Sequence, residues 1–358
     1  MKYRLANLLS AESITTAGTK TIEIKTKDII SRITAIVRLT NSSWTPTGHP
    51  ALVVTNIQVV DGSEVLFSMR GVYAQSLAFY GTKTQPFNYI NYTDNGVAVA
   101  EIPIYFGRRL WDKDYALDPK RFNNLQLKIT HSYLLGGAVP DAATLEVWAD
   151  IFDEDQPAPV GMLRAESLWS KTLVASTIDE INLPTDYDIR LLLPAAFSNS
   201  EEPDINIDAV RLTENQDKNV LVDSGVLELL QMYERRWPLY SEYGEGRLEA
   251  NADRSFFLTP CKDIILLAGA SQDSDSIIHY TWSGGNSRII NGSLLTTISI
   301  LINGRCPHGA FPLPLGEIDK PDTWWHVEPT GSRKCRLTTG PGDVTCNYEL
   351  LMQQAKPY

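Results

Sequence analysis

The chain has no long hydrophobic run, no basic cluster and few cysteines, and each shortage closes off a class of function. Its longest apolar stretches, such as Ile264 to Ala268, have the length of a β-strand and fall far short of the roughly 20 residues that span a bilayer. The start, Met1-Lys2-Tyr3-Arg4-Leu5-Ala6-Asn7-Leu8-Leu9-Ser10, is basic but lacks the sustained apolar core and cleavage signature of a signal peptide. A soluble protein that stays where it is made is the expectation. The net charge is −11, from 32 Lys and Arg against 43 Asp and Glu. Residues 1–155 carry 15 basic and 16 acidic side chains, and residues 156–358 carry 17 and 27, so the acidity sits in the second half. An acidic surface repels phosphate, which argues against a nucleic-acid wrapping role and against direct sequence-specific nucleic-acid binding. The four cysteines, Cys261, Cys306, Cys335 and Cys346, all lie in the last hundred residues, and none is spaced as Cys-x-x-Cys. A zinc knuckle or redox pair is therefore not expected. Cys335 and Cys346 could face each other across a hairpin, but without an export signal buried thiols are the simpler reading.

Catalytic signatures are scarce as well. The sequence contains no Gly-x-Ser-x-Gly elbow, no phosphate-binding glycine loop and no His-Glu-x-x-His. Of the histidines His49, His131, His279, His308 and His326, only His308 lies close to a cysteine, as Cys306-x-His308. A metal site there needs two further ligands, for which His326 and Cys335 are the candidates, and such mixed spacing is usually accidental. A sandwich glycosidase or lyase needs two carboxylates across a groove. Asp150, Asp153, Glu154 and Asp155 are candidates, although the last three read as a solvated linker. Asp204/Asp208 and Asp273/Asp275 could hold calcium in loops but follow no known loop pattern. Trp324-Trp325-His326 offers a stacking surface for sugar rings, set against the commoner arrangement of one ring in the core and one in an intersubunit contact. No catalytic residue, cofactor or metal ligand is assigned, and the chain is not expected to be an enzyme.

What the chain does have is β-alternation. Hydrophobic residues make up 43% and charged residues 21%, enough apolar material for two ordinary cores in 358 residues. Period-2 patterning and turn residues predict strands at Thr21–Lys27, Ile33–Leu39, Leu52–Val60, Glu64–Met69, Val97–Phe106, Leu125–His131 and Leu145–Phe152, with room for an eighth. Asp61-Gly62 is a hairpin turn signal. Asp153-Glu154-Asp155-Gln156-Pro157-Ala158-Pro159 breaks the pattern, because charge followed by paired prolines cannot continue a strand. Strands resume at Leu173–Ile181, Tyr187–Leu193, Ile205–Leu212, Asn219–Val222, Ser255–Leu258, Asp263–Leu267, Ile277–Trp282, Ser287–Ile302 and Val344–Met352. Residues 303–342, rich in Gly and Pro, are expected to form a long ordered excursion. Short helices are predicted at Val72–Tyr80 and Val226–Arg235.

A faint repeat links the halves. Ile57-x-Val59, Val65-Leu66, Gly71-Val72, an apolar run to Tyr80 and then Pro86 correspond to Val210-x-Leu212, Val220-Leu221, Gly225-Val226, a run to Tyr233 and then Pro238. Each copy spells strand, turn, strand, glycine break, short helix and proline-led loop. The glycines are expected to supply positive φ at the strand-to-helix junction. The predicted fold is all-β: two tandem eight-stranded antiparallel jelly-roll sandwiches with short helices in loops. The first covers residues 1–155 with an N-terminal arm, and the second covers 156–358 with the excursion.

Three stretches carry a resemblance. Met69-Arg70-Gly71-Val72-Tyr73-Ala74-Gln75-Ser76-Leu77 runs a strand-end glycine into a short helix. Ile102-Pro103-Ile104-Tyr105-Phe106-Gly107-Arg108 follows, and then Ala116-Leu117-Asp118 with Asn123-Asn124-Leu125-Gln126-Leu127-Lys128-Ile129. Across these roughly 65 positions the chain resembles the double jelly-roll major capsid proteins of tailless icosahedral viruses, including bacterial viruses with an internal membrane. The second half is similar through its layout and the repeat. The resemblance implies a structural virion protein, made in the host cytoplasm and resident in the capsid shell. Three two-barrel chains would form a pseudo-hexameric capsomer, with neighbouring capsomers and other capsid or vertex proteins as partners. Tyr3, Leu5, Leu8 and Leu9 would be available to an internal viral membrane as an arm, or would tuck onto the body. A virion spike, vertex or receptor-binding protein and a β-sandwich carbohydrate-active enzyme are the alternatives.

Overall fold

The computed structural model describes residues 2–42, 48–135, 138–154, 156–198, 200–247, 254–259, 261–270, 280–281, 286–289, 297–326 and 331–358. Along the first half run β1 (Tyr3–Ser13), β2 (Gly18–Glu23), β3 (Ile30–Thr40), β4 (Val54–Asp61), β5 (Glu64–Met69), β6 (Asn88–Tyr92), β7 (Val97–Tyr105), β8 (Leu125–His131) and β9 (Ala142–Phe152). Helix α1 (Gly71–Thr82) stands between β5 and β6. One sheet has the order β1-β9-β3-β7, extended by β6, and the other β2-β8-β4-β5. Alternation produces this sandwich: on β3, Ile33, Ala35, Val37 and Leu39 are fully buried, and on β8, Leu125, Leu127 and Ile129 point inward while Gln126, Lys128 and Thr130 do not. At the β4–β5 hairpin Gly62 has φ +59°, a conformation that suits glycine, as Asp61-Gly62 predicts.

The second half retraces the same path with β10 (Gly161–Thr172), β11 (Ile178–Leu183), β12 (Asp188–Ala196), β13 (Ile207–Glu214) and β14 (Asn219–Gly225). The short α2 (Pro203–Asn206) precedes β13, and α3 (Val226–Tyr233) follows β14. A long insertion carries β15 (Tyr240–Arg247), β16 (Arg254–Phe257), β17 (Lys262–Ala270), β18 (Tyr280–Thr281), β19 (Asn286–Ile289) and β20 (Thr297–Arg305). Strands β21 (Leu313–Pro314), β22 (Arg333–Thr339) and β23 (Asn347–Pro357) complete the barrel. Its sheets run β10-β23-β12-β21 and β11-β22-β13-β14. These orders match the first barrel strand for strand, so the chain is two jelly rolls in tandem. Ile57 and Val210 lie on the corresponding strands β4 and β13, and Gly71 and Gly225 stand at corresponding strand-to-helix junctions. The repeat is a repeat of structure.

One expectation holds with an addition, and three are corrected. The sandwiches are antiparallel within themselves, but two parallel pairs join them: Phe67 and Ser68 of β5 with Ala165 and Glu166 of β10, and Tyr89 to Tyr92 of β6 with Tyr243 to Gly246 of β15. Each join pairs edges that would otherwise leave backbone groups exposed. The first residues are not an arm. Tyr3–Ser13 pair with β9 as an edge strand whose largely exposed face hides the usual alternation. Residues 303–342 are not one excursion, since β21 and β22 lie within them; the long insertion follows α3 and carries β15 to β20. The prolines misled because they open single turns (Pro307, Pro321) or sit on a two-residue edge strand (Pro314), positions that proline tolerates. Finally, neither junction glycine has positive φ. Gly71 is required by contact instead, because a Cβ there would stand 2.6 Å from the Ala51 carbonyl oxygen and 2.9 Å from Ile102.

Candidate functional site: the seam between the jelly rolls

Helix α1 has no charged residue and is buried all round, from Gly71 to Gly81. An apolar helix of that kind needs partners on every side. The second half supplies them. Ser76 Oγ donates to the Pro307 carbonyl at 2.9 Å, Tyr80 Oη to the Ala310 carbonyl at 3.0 Å, and Trp237 Nε1 to the Tyr80 carbonyl at 2.8 Å. Arg190 of β12 reaches the end of the helix, donating to the Gly81 carbonyl at 2.7 Å, to the Ile318 carbonyl at 2.8 Å and to Gln353 Oε1. Its guanidinium is fully buried against Trp324. Burial pulls its pKa down to about 10, partly opposed by Asp319, so it stays cationic at neutral pH.

Beside the helix lies a closed polar cluster. Ala51 N–H donates to His49 Nδ1 at 3.1 Å, which leaves the His49 proton on Nε2, 2.9 Å from Glu242 Oε1. Tyr240 Oη and Asn88 Nδ2 donate to the same oxygen at 2.7 and 3.1 Å. Gln75 Nε2 donates to Asn88 Oδ1 at 2.8 Å, and His308 Nε2 lies 2.9 Å from Gln75 Oε1, with its Nδ1 2.5 Å from Thr259 Oγ1. Burial alone would raise the Glu242 carboxyl, but His49, His308 and the Tyr240 hydroxyl outweigh it and hold the pKa at about 2. Burial pushes His308 down to about 3, with His49 adding to the shift and Glu242 opposing it. The arrangement locks elements from both halves in one register. It offers no substrate access, since its members are buried.

The residues singled out in the sequence are dispersed. His49 and His308 meet here, with ring centroids 5.0 Å apart. Cys306 is buried with Cys335 and Cys346 in the second core, while Cys261 belongs to the first. β22 and β23 belong to different sheets, so Cys335 and Cys346 do not face each other across a hairpin. His326 is exposed and contacts Asp188 at 2.9 Å. Among the described residues no group of three His, Cys, Asp or Glu side chains is placed to hold a metal ion. Asp150 pairs with Arg32 at 2.7 Å and Asp153 with Arg4 at 3.1 Å. Asp204 pairs with Lys262 at 2.9 Å, so a lysine stands where a cation would. Trp324 and Trp325 are both buried, their Nε1 groups donating to the Glu317 carbonyl and to Glu214, and they present no stacking platform. Asp155, Asp273, Asp275 and His279 lie outside the described residues. A surface cleft of about 230 Å³ lined by Glu12, Lys20 and His131 is spanned by the Lys20–Glu12 ion pair at 2.5 Å.

Sequence reasoning overlooked Arg190, Gln75, Asn88 and Glu242. Two of them had a signal: Gln75 interrupts a charge-free apolar helix, and Arg190 interrupts the apolar run Ile189–Ala196. A polar residue in such a run is either misplaced or bonded inside.

No family model and no curated protein matches the chain. Solved structures do. The major capsid protein of Sulfolobus turreted icosahedral virus superposes with a TM-score of 0.59 at 12% identity, covering 100% of this chain and 98% of that one. Major capsid protein P2 of bacteriophage PM2 gives 0.54 at 10% identity, with 99% and 98% covered. The capsid of virus PBCV-1 gives 0.52 at 10% identity, with 99% and 93% covered. The chain therefore has, from end to end, the double jelly-roll fold of these viral major capsid proteins.

Proposed function

We propose that the chain is the major capsid protein of an icosahedral virus, a structural component of the virion shell. The observation that carries this reading is the end-to-end match of two jelly rolls fused edge to edge, with both barrels and the insertion included in the alignment. Residues 153–160 form the joint between a first jelly roll of residues 1–155 and a second of 156–358. Three chains associate side by side into a pseudo-hexameric capsomer, and many capsomers tile the shell with other capsid proteins at its vertices. The seam supports this role, because a tile needs its two barrels held as one rigid body. The carbohydrate-active alternative loses its support, since its tryptophans are buried and its acidic residues Asp150 and Asp153 are bridged by arginines. A membrane-contacting arm loses its support too, because Tyr3, Leu5, Leu8 and Leu9 belong to β1. The test is sedimentation and electron microscopy of the purified protein. Trimers of the 39.9 kDa chain with a hexagonal outline are expected. A monomer at all concentrations, with no larger particles, would refute the capsomer.

A further inference from the structure

Inside one chain the sheet β2-β8-β4-β5 continues through the parallel β5–β10 pair into β10-β23-β12-β21. In the duplicated fold β14 is the counterpart of β5 and β1 the counterpart of β10. Among the described residues both counterparts are sheet edges: β14 ends the order β11-β22-β13-β14, and β1 begins the order β1-β9-β3-β7. Resting on the capsomer reading above, we propose that β1 of a second copy adds in parallel to β14, so that the seam within each chain is repeated between chains.

Burial differs between the two halves as this requires. Around the intrachain seam Leu66 is buried and α1 is covered on every side. At the corresponding positions β14 exposes Val220 and Leu221 (45% accessible), and α3 buries only Val226, Leu229 and Leu230, leaving Leu227 and Met232 (56%) in solvent. The facing edge is apolar too: β1 exposes Tyr3 and Leu5 (58%). The matching bulges of β1 (Asn7/Leu9) and β10 (Ser167/Trp169) make Leu5 the counterpart of Ala165, and those of the β4–β5 and β13–β14 pairs make Val222 the counterpart of Phe67. The intrachain pairing of Ala165 with Phe67 therefore sets Leu5 beside Val222 and Tyr3 beside Val220. Such an interface is head-to-tail, and a head-to-tail interface forms either a ring or an open filament. Six barrels in a ring alternate three intrachain seams with three interchain ones, and three chains close it. Edge pairing also satisfies backbone groups on two exposed edges that each chain otherwise carries.

The experiment uses the full chain in two arms. Leu5→Glu and Val220→Lys, diagonal neighbours on one face of the proposed pair, are each expected when made separately to raise the trimer dissociation constant at least tenfold while leaving the far-UV spectrum unchanged, since both side chains are exposed. The chain carrying L5E together with V220K is expected to recover association. In the second arm, protein bearing Tyr3→Cys is mixed with protein bearing Val220→Cys and oxidised, and a covalent dimer is expected only in the mixture. Trimers that form normally with both single variants and yield no mixed cross-link overturn the β1–β14 pairing and leave the capsomer reading intact. A wild-type chain that never associates overturns both.

Discussion

Arg190 and Gly81 are joined across the two jelly rolls: the guanidinium on β12 donates to the last-turn carbonyl of α1 at 2.7 Å. The C-terminal end of a helix presents unsatisfied carbonyls and partial negative charge, so a buried cation is stabilised there without a carboxylate partner. Replacing Arg190 with methionine strands the carbonyls of Gly81 and Ile318 and the side chain of Gln353 in the interior. A loss of about 3 kcal/mol is expected, at roughly 1–3 kcal/mol per stranded buried group. Urea unfolding of R190M against wild type measures it. An unchanged midpoint would mean that these acceptors find water and that the seam does not depend on the arginine.

The two junction glycines should respond differently to the same change. Alanine at Gly71 forces a methyl against the Ala51 carbonyl oxygen, which is backbone and cannot swing aside, and against the buried Ile102 side chain, so about 2 kcal/mol or more should be lost. Alanine at Gly225 meets the flexible Glu228 carboxylate first and then the Asp208 carbonyl at an ordinary 3.7 Å, so a change within about 1 kcal/mol is expected. Thermal unfolding of G71A and G225A separates them. Equal losses would mean that backbone conformation, and not contact, selects glycine at both places.

This contrast marks what the sequence could reveal. Strands with one wet and one dry face, such as β3 and β8, declare themselves by alternation, and the helix after each junction declares itself by its apolar run. β1 and β10 did not. β1 is largely exposed along its length, and β10 is buried only at its start, so neither alternates. The seam was the least legible part, because its contacts join residues more than a hundred positions apart, as His49 with Glu242 and Gln75 with His308. The reason for each glycine was equally hidden: local sequence identifies a junction, while the carbonyl that crowds Gly71 belongs to another segment.

The thiols should be silent. All four cysteines are buried, and burial pushes Cys335 and Cys346 up to about 12, which leaves almost no thiolate at neutral pH. Native protein is expected to react with an aromatic disulfide reagent at the rate of global unfolding, and all four thiols should react promptly in denaturant. Rapid labelling without denaturant would show that a core opens locally. The same silence gives the engineered cysteine cross-links a clean background.

Acid should weaken the seam before it weakens the barrels. His308 has an ordinary value of 6.5 and is held at about 3 by burial, so between those values the unfolded chain binds a proton that the folded chain refuses. Stability is then full above pH 6.5 and falls as pH drops, by up to about 1.4 kcal/mol per pH unit for one proton. Glu242 adds a loss of the same sign from 4.5 down to about 2, because its folded carboxylate resists protonation. His131, lowered by burial, acts in the same direction as His308. His326 acts oppositely, because the Asp322 carbonyl and the Asp188 carboxylate raise it, and it favours the folded state as pH falls. The His308 share is isolated by comparing wild type with His308→Gln, in which an amide replaces the titrating ring among Gln75, Thr259 and Tyr240. Urea midpoints measured from pH 7.5 to 4.5 should fall more steeply in wild type than in H308Q, even if the variant starts lower. Parallel profiles would mean that His308 takes up its proton in the folded protein, and that the cluster is open to water rather than closed.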